Sequence, residues 1–156
     1  MNRQIKFRGK DIRTGEWVYG DLLHIAGGCL IYFGSQTEKE TPDIRNDSLI
    51  AVELFKTEIA VVTPESVGQF TGLTDKSGKE IYEGDIVYFG LNAIVKYHPY
   101  LCSFILDCED REPHSNDSYS DLGFMKKNSK RFAVIGNIHD NYGSWELDLK
   151  RQSFNT

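Results

Sequence analysis

Residues 81–87 have the sequence IYEGDIV, and this stretch decides the fold that we expect. Gly84 permits a bend with positive φ that few other residues tolerate. The carboxylate of Asp85 can accept hydrogen bonds from backbone amides in such a turn. Ile86 and Val87 carry the branched side chains that favour a strand. The stretch therefore predicts a tight turn that leads into a buried strand, and we assign it a structural role.

Short strands are expected after this turn. The segments rich in branched and aromatic residues are 85–89, 93–98, 102–108 and 132–138. Short, closely spaced strands with glycine turns favour a small barrel over a parallel sheet. A Gly-Asp-aliphatic entry into a strand also occurs in SH3-like barrels, which is an analogy of fold and carries no function. Gly78 and Gly136 are assigned structural turn roles beside Gly84 and Asp85.

An antiparallel β lobe is expected before the turn. Alternation in residues 5–8 predicts a half-buried strand, Gly15 supplies a turn, and residues 17–25 form the return strand. Thr63 is predicted to cap a short helical segment, with Pro64 in its first position. Further strands are expected at 29–33, 50–54 and 57–62, and exposed loops at 34–48 and 107–131.

The expected fold class is mainly β with little helix. Residues 1–66 form the N-terminal β lobe, 67–141 the SH3-like barrel and 142–156 a tail, all within one compact unit. The predicted core consists of Phe7, Trp17, Val18, Leu22, Ile31, Val61, Phe70, Ile81, Ile86, Val87, Val95, Phe104, Leu106, Val134 and Ile138.

The sequence also contains a faint internal echo. Residues 14–22 read TGEWVYGDL and residues 77–86 read SGKEIYEGDI, with one residue inserted. Both run from a glycine turn through a tyrosine to Gly-Asp and an aliphatic residue. Two related lobes explain the echo, and so does convergent turn chemistry.

The composition is that of an ordinary globular chain of 156 residues, 40% hydrophobic and 26% charged. A net charge of −5 argues against binding of nucleic acid by the whole surface. The basic start has no apolar run behind it, and no stretch approaches the ~20 residues of a membrane span. We therefore expect a cytoplasmic protein without membrane contact, whose three cysteines are free thiols.

Four motifs in order give the sequence a family resemblance. They are IKFR at 5–8, VGQFTGL at 67–73, DKSGKEIYEGDIV at 75–87 and VIGNI at 134–138. Over nearly the whole chain they resemble the YopX family of phage and prophage proteins. The resemblance implies a β-barrel accessory protein that acts in a bacterial host cell. The family brings no established activity, so the resemblance implies no catalytic residues.

The residues closest to a metal-ligand set are His98, Cys102, Cys108 and His114. The two cysteines are too far apart for the short Cys-x₂₋₄-Cys pair of a zinc site. In a strand over 102–108 they share a face with Phe104 and Leu106, which favours a core stripe with two buried thiols. We predict no metal site and no cofactor.

No catalytic constellation stands out. The chain lacks a Gly-x-Ser-x-Gly elbow, a phosphate-cradling glycine loop and a His-Glu-x-x-His helix. His139 follows a predicted strand and precedes Asp140, with no nucleophile in the pattern. Glu80, Glu83 and Asp85 share one tight turn, where carboxylates commonly cap amides. We predict that the protein is not an enzyme.

Two binding functions remain open. A protein-interaction module, with a protein partner or a second copy of the chain, is the leading interpretation, because exposed loops offer surface for it. The alternative is a β-barrel that binds nucleic acid through two basic clusters, with tyrosines near strand ends for base stacking. The basic residues in question are Arg3, Lys6, Arg8, Lys126, Lys127, Lys130 and Arg131.

Overall fold

A computed structural model describes residues 4–34, 58–108 and 119–140. Within these ranges the chain forms eleven β-strands, one short α-helix and two 3₁₀ turns. The expected mainly β class is thereby confirmed. The chain separates into two compact units, Met1–Phe70 and Thr71–Thr156, which we call unit 1 and unit 2 and describe separately. The loop at 34–48, the strand at 50–54 and the tail at 142–156 lie wholly or almost wholly outside the described residues.

Unit 1 is an antiparallel sheet with the strand order β4-β3-β2-β1-β5. The expected hairpin is present: Phe7 lies opposite Gly20, and Gly15 in the connecting turn has a φ of +72°. The strands are β1 (Phe7–Lys10), β2 (Trp17–Ile25), β3 (Gly28–Tyr32), β4 (Ile59–Val62) and the start of β5 (Gly68–Thr74).

The core of unit 1 is formed by Ile31, Ala60 and Val62, against which Phe7 and Leu22 pack. Val61 was expected in this core, and that prediction is wrong, because its side chain is 44% exposed. Successive side chains of a strand point to opposite faces. In β4 the residues on either side of Val61 are the ones that point inward.

The buried hydroxyl of Ser66 stabilises the connection between β4 and β5. Thr63 makes no side-chain cap, contrary to expectation, although Pro64 does begin a 3₁₀ turn, Pro64–Ser66. The hydroxyl of Ser66 donates to the Thr63 carbonyl at 2.6 Å and accepts from the Lys10 amide at 2.8 Å. One side chain thus satisfies a donor of β1 and an acceptor before the turn.

Unit 2 contains a second antiparallel sheet, with the strand order β10-β9-β8-β7-β11. β5 continues into this unit, where β6 is its neighbour. The elements are β6 (Glu80–Tyr82), β7 (Asp85–Tyr88), β8 (Asn92–His98), β9 (Ser103–Asp107), β10 (Tyr119–Asp121), α1 (Leu122–Asn128), a 3₁₀ turn (Ser129–Arg131) and β11 (Ala133–Asn137).

The expected closed barrel is not formed by the described strands. β10 and β11 each pair on one side only, so the sheet of unit 2 is open there. Gly136 lies within β11, where the register against β7 shifts after Val134. The prediction of a mainly β, antiparallel fold is thus confirmed, whereas the described strands do not form the predicted closed barrel.

The core of unit 2 joins the sheet to α1. Val87, Val95 and Leu106 are fully buried together with Met125 of α1 and with Phe132. The predicted exposed loop at 107–131 is therefore wrong over 119–131, where β10, α1 and the 3₁₀ turn lie. Residues 109–118 lie outside the described ranges. A helix of seven residues is too short to show a clear apolar period, and burial of Met125 anchors it instead.

The Gly84–Asp85 turn brings two sequence motifs together. Gly84 has a φ of +84°, and its amide donates to the Val95 carbonyl at 2.8 Å. Asp85 is buried: its Oδ2 accepts from the Tyr82 amide at 2.8 Å, and its Oδ1 accepts from the Asn137 side-chain amide at 3.3 Å. The Gly-Asp-Ile and Gly-Asn-Ile segments therefore meet through these side chains.

Asp75 organises the turn between β5 and β6, in which Gly78 has a φ of +88°. Its Oδ1 accepts from the Ser77 amide at 2.7 Å and the Lys79 amide at 3.0 Å, and its Oδ2 accepts from the Val134 amide at 3.0 Å. Burial raises the pKa of the carboxyl, but these bonds and the Ser77 hydroxyl outweigh it and lower the pKa to about 2. The bonded carboxylate ties this turn to the start of β11.

We expect Asp85→Ala to lower the free energy of unfolding by about 3 kcal/mol, because it leaves two buried donors without an acceptor. Urea denaturation would measure the loss. Asn137→Ala should be coupled to it, so the double variant should lose less than the sum of the single losses. Asp21→Ala, at the exposed Gly-Asp of β2, is the matched control and should change stability by less than ~0.5 kcal/mol. Equal losses for Asp21→Ala and Asp85→Ala would contradict this assignment.

The Asp75 carboxylate should stabilise the fold in a pH-dependent way. Its folded pKa of about 2 lies below the ordinary value of 3.8, so the stabilisation is complete above about pH 5 and is lost as the pH falls towards 2. Asp75→Asn should cost about 2 kcal/mol near neutral pH, and the gap to the native chain should narrow on acidification. Urea denaturation at about pH 7 and pH 3 measures the free energy of unfolding of the variant and of the native chain. A difference between them that is the same at both pH values would refute the role of the charge. Asp107→Asn, in a partly exposed ion pair, is the control and should lose under ~1 kcal/mol.

Candidate functional site

The four residues closest to a metal-ligand set in the sequence do not form a ligand cluster in the described part of the chain. Cys108 is buried in the core of unit 2, whereas Cys102 is exposed. The expectation of two buried thiols on one strand is therefore wrong. Cys102 has a φ of +47° and lies in the turn before β9 begins at Ser103. His114 lies outside the described residues, within which no cluster of three or more metal-ligating side chains exists.

The acidic residues of the central turn act as hydrogen-bond acceptors. Glu80 Oε2 accepts from the Tyr82 hydroxyl at 2.7 Å, and Glu83 Oε1 accepts from the Tyr97 amide at 3.3 Å. Asp85 is engaged as described above. His139, half-buried, donates its backbone amide to Asn137 Oδ1 at 2.8 Å. These contacts give each carboxylate a structural role.

The first basic cluster, which we take as Arg3, Lys6, Arg8 and Lys10, lies in and just before β1 in unit 1, and its Arg3 lies outside the described residues. Arg8 is 5% exposed, and its guanidinium lies over the Trp17 ring, with Cζ 4.6 Å from the centroid. Lys6 Nζ lies 5.9 Å from the Tyr19 ring centroid, and Lys10 Nζ lies 5.6 Å from that of Trp17. These three cations thus alternate with Phe7 and Gly9, and they face aromatic rings of β2.

The second basic cluster lies in unit 2 and is larger than the sequence indicates. Lys126 and Lys127 lie in the last turn of α1, and Lys130 and Arg131 end the 3₁₀ turn; all four are exposed. The β5–β6 turn is tied to this segment, since the Lys76 amide donates to the Phe132 carbonyl at 2.9 Å. We call the combined set the lysine surface; it consists of Lys76, Lys79, Lys126, Lys127, Lys130 and Arg131.

Sequence reasoning missed Lys76 and Lys79 as members of this surface. Both are exposed residues of the turn DKSGK, which the sequence explained by its turn chemistry alone. A further bond joins the two segments, from Lys130 Nζ to Thr74 Oγ1 at 3.5 Å. The two segments are more than forty residues apart in the sequence, so local patterning carried no signal of their contact.

The turn between β8 and β9 presents an apolar surface. We call residues 97–102 the β8–β9 tip. Tyr100 is 93% exposed, Leu101 54% and Tyr97 46%. The backbone of the tip is fixed locally: the Cys102 amide donates to the Pro99 carbonyl, and the Leu101 amide to His98 Nδ1, each at 3.3 Å.

Aromatic contacts support the base of the tip. The Tyr97 and Phe104 rings meet edge to face with centroids 5.7 Å apart, and the His98 and Tyr100 rings lie 6.0 Å apart. Phe104 is buried in the core of unit 2. The tip is therefore an ordered projection that is anchored in the sheet below it.

The helix of the described ranges lacks the length and apolar character needed to cross a bilayer.

A solved structure shares the fold. Protein EF1440 from Enterococcus faecalis, known from a crystal structure, is 24% identical in sequence, with a TM-score of 0.50. The match covers 91% of this chain and 98% of that one. At this identity the likeness concerns the fold alone. No curated protein matches the sequence.

The family relationship rests on a match that spans both units. The model of the family described as YopX protein matches residues 6–143. This range contains the hairpin of unit 1, the Asp75 turn, and the Asp85–Asn137 contact. The chain therefore belongs to the YopX family.

Proposed function

We propose that this YopX-family chain is a phage or prophage accessory protein of the bacterial cytoplasm that works as a protein-interaction module, without catalysis. The observation that carries the proposal is the β8–β9 tip. Tyr100 extends almost fully into solvent beside the exposed Leu101. Large apolar side chains exposed together commonly mark contact sites between proteins.

The tip has the physical properties of an interface anchor. Tyrosine supplies a large contact area at a small cost in side-chain entropy, and it is enriched among the interface residues that contribute most of the binding energy. The local hydrogen bonds at Leu101 and Cys102 hold the tip in shape before binding. Binding therefore requires little ordering of the backbone, which preserves affinity.

The absence of charged side chains from the tip indicates the kind of partner surface that it fits. Residues 97–102 carry no Asp, Glu, Lys or Arg. At its base, Lys96 and Asp107 neutralise each other through an ion pair of 2.5 Å. The complementary surface is accordingly an apolar pocket on another protein that accepts a tyrosine and a leucine.

An SH3-like character of unit 2 belongs to this proposal as well. The antiparallel succession of β7, β8 and β9, with β11 returning beside β7, supports it. Modules of that type bind through loops between strands, and the tip is such a loop.

Site-specific crosslinking tests the tip as the contact site. A photoreactive phenylalanine analogue at position 100 should give one discrete adduct with a partner in the producing cell. The same analogue at Ile25, another exposed apolar residue next to a tight turn, is the matched control and should not give that adduct. Mass spectrometry identifies the crosslinked protein.

The purified partner then permits a measurement of affinity. The variant Tyr100→Ser with Leu101→Ser should weaken binding at least tenfold, whereas Ile25→Ser should leave it unchanged. Thermal unfolding should remain unchanged, since both replaced side chains are exposed. If the adduct forms only between two copies of the chain, the partner is a second copy and the tip is a self-association surface. Equal labelling from positions 25 and 100 would refute the proposal.

A further inference from the structure

We infer that the lysine surface of unit 2 is a binding site for the phosphate backbone of nucleic acid. The site is separate from the β8–β9 tip, and the inference does not depend on a protein partner. It consists of the turn cations Lys76 and Lys79 together with the cations that follow Met125. The ligand class is a chain of closely spaced phosphates.

The surface is assembled from two segments that the fold holds in fixed register. The Asp75 carboxylate accepts from the Val134 amide at 3.0 Å, and the Lys76 amide donates to the Phe132 carbonyl at 2.9 Å. Met125 and Phe132 are fully buried on either side of the cations. The backbone that carries the cations is therefore anchored, while their side chains extend outward.

The local charge is positive although the whole chain is acidic. In the described part of the chain, no ion pair engages any of the six cations. Two carboxylates adjoin the turn lysines in sequence. That of Asp75 is buried and already accepts bonds from Ser77, Lys79 and Val134. That of Glu80 is half-buried and accepts from the Tyr82 hydroxyl at 2.7 Å, so both carboxylates are engaged within the fold. The net charge of −5 is that of the whole chain, and it is compatible with a local basic site.

A polyanion fits this arrangement better than a single phosphate. The cations are spread over a turn, the last turn of a helix and a 3₁₀ turn. Separate exposed lysines suit separate phosphates, each of which releases counterions from the nucleic acid. Phe124, on the same short helix, is 39% exposed and adds a ring on which an unpaired base can stack.

The first basic cluster is left out of this site for a physical reason. Arg8 is almost fully buried, and Lys6 and Lys10 lie against aromatic rings of β2. Their removal therefore provides a control with the same change in net charge, in a different unit of the same protein.

Fluorescence anisotropy with labelled 20-mers of double-stranded DNA, single-stranded DNA and single-stranded RNA tests the inference on the full chain. If each of the six cations contacts one phosphate, affinity for double-stranded DNA should fall about 10³-fold between ~50 and ~200 mM salt. The variant Lys126→Gln, Lys127→Gln, Lys130→Gln, Arg131→Gln should abolish binding at the higher salt. Lys76→Gln with Lys79→Gln should lower the salt slope by about 2, which tests the two residues that only the structure identifies.

The control variant Lys6→Gln with Lys10→Gln should bind as the native chain does. If it weakens binding as much as Lys76→Gln with Lys79→Gln, net charge explains the effect and the site is refuted. Absence of binding at ~50 mM salt also refutes it, as does equal binding of heparin at matched charge. The Tyr100→Ser, Leu101→Ser variant should retain full nucleic-acid affinity, so failure of the tip and failure of the lysine surface are distinguished.

Discussion

The contact between the Asp85 carboxylate and the Asn137 side-chain amide holds strands β7 and β11 of unit 2 side by side. It joins the turn before β7 to the last residue of β11, more than fifty positions later, and it is buried. The backbone follows the same path, because the Ile138 amide donates to the Gly84 carbonyl at 3.0 Å. Buried polar groups must find partners, so this pairing fixes β11 as the edge strand beside β7. The Asp75 bond to Val134 secures the other end of β11.

Local chemistry made the turns predictable. Asp11 and Asp75 each accept a bond from the amide two residues later, at 2.7 Å in both cases, and a glycine with positive φ follows. Both turns before the internal echo therefore use an aspartate and a glycine. At Gly-Asp the two segments differ, since Gly20 and Asp21 lie inside the continuous strand β2, whereas Gly84 lies in a buried turn and Asp85 begins β7. Related lobes and convergent turn chemistry both accommodate this difference.

Features that depend on distant contacts were not predictable. The helix α1 exists because Met125 fills the core, the inward face of β4 is set by pairing with β3, and Cys102 turns outward because β9 starts one residue later. The same limit applies to the candidate sites. The cations at 126–131 could be recognised from sequence, but their junction with the Asp75 turn depends on backbone bonds between segments far apart. The tyrosines of the tip could be recognised from the sequence, but their exposure could not.

Strand β5 belongs to both units. Its first residues pair with β1 in unit 1, at Gly68 and Gln69, and its later residues run beside β6 in unit 2. An incision between Phe70 and Thr71 would leave each fragment with half a strand and an open hydrogen-bonding edge. This position is therefore a poor place to divide the gene. A fragment that contains unit 2 keeps the whole of β5 only if it begins at or before residue 68.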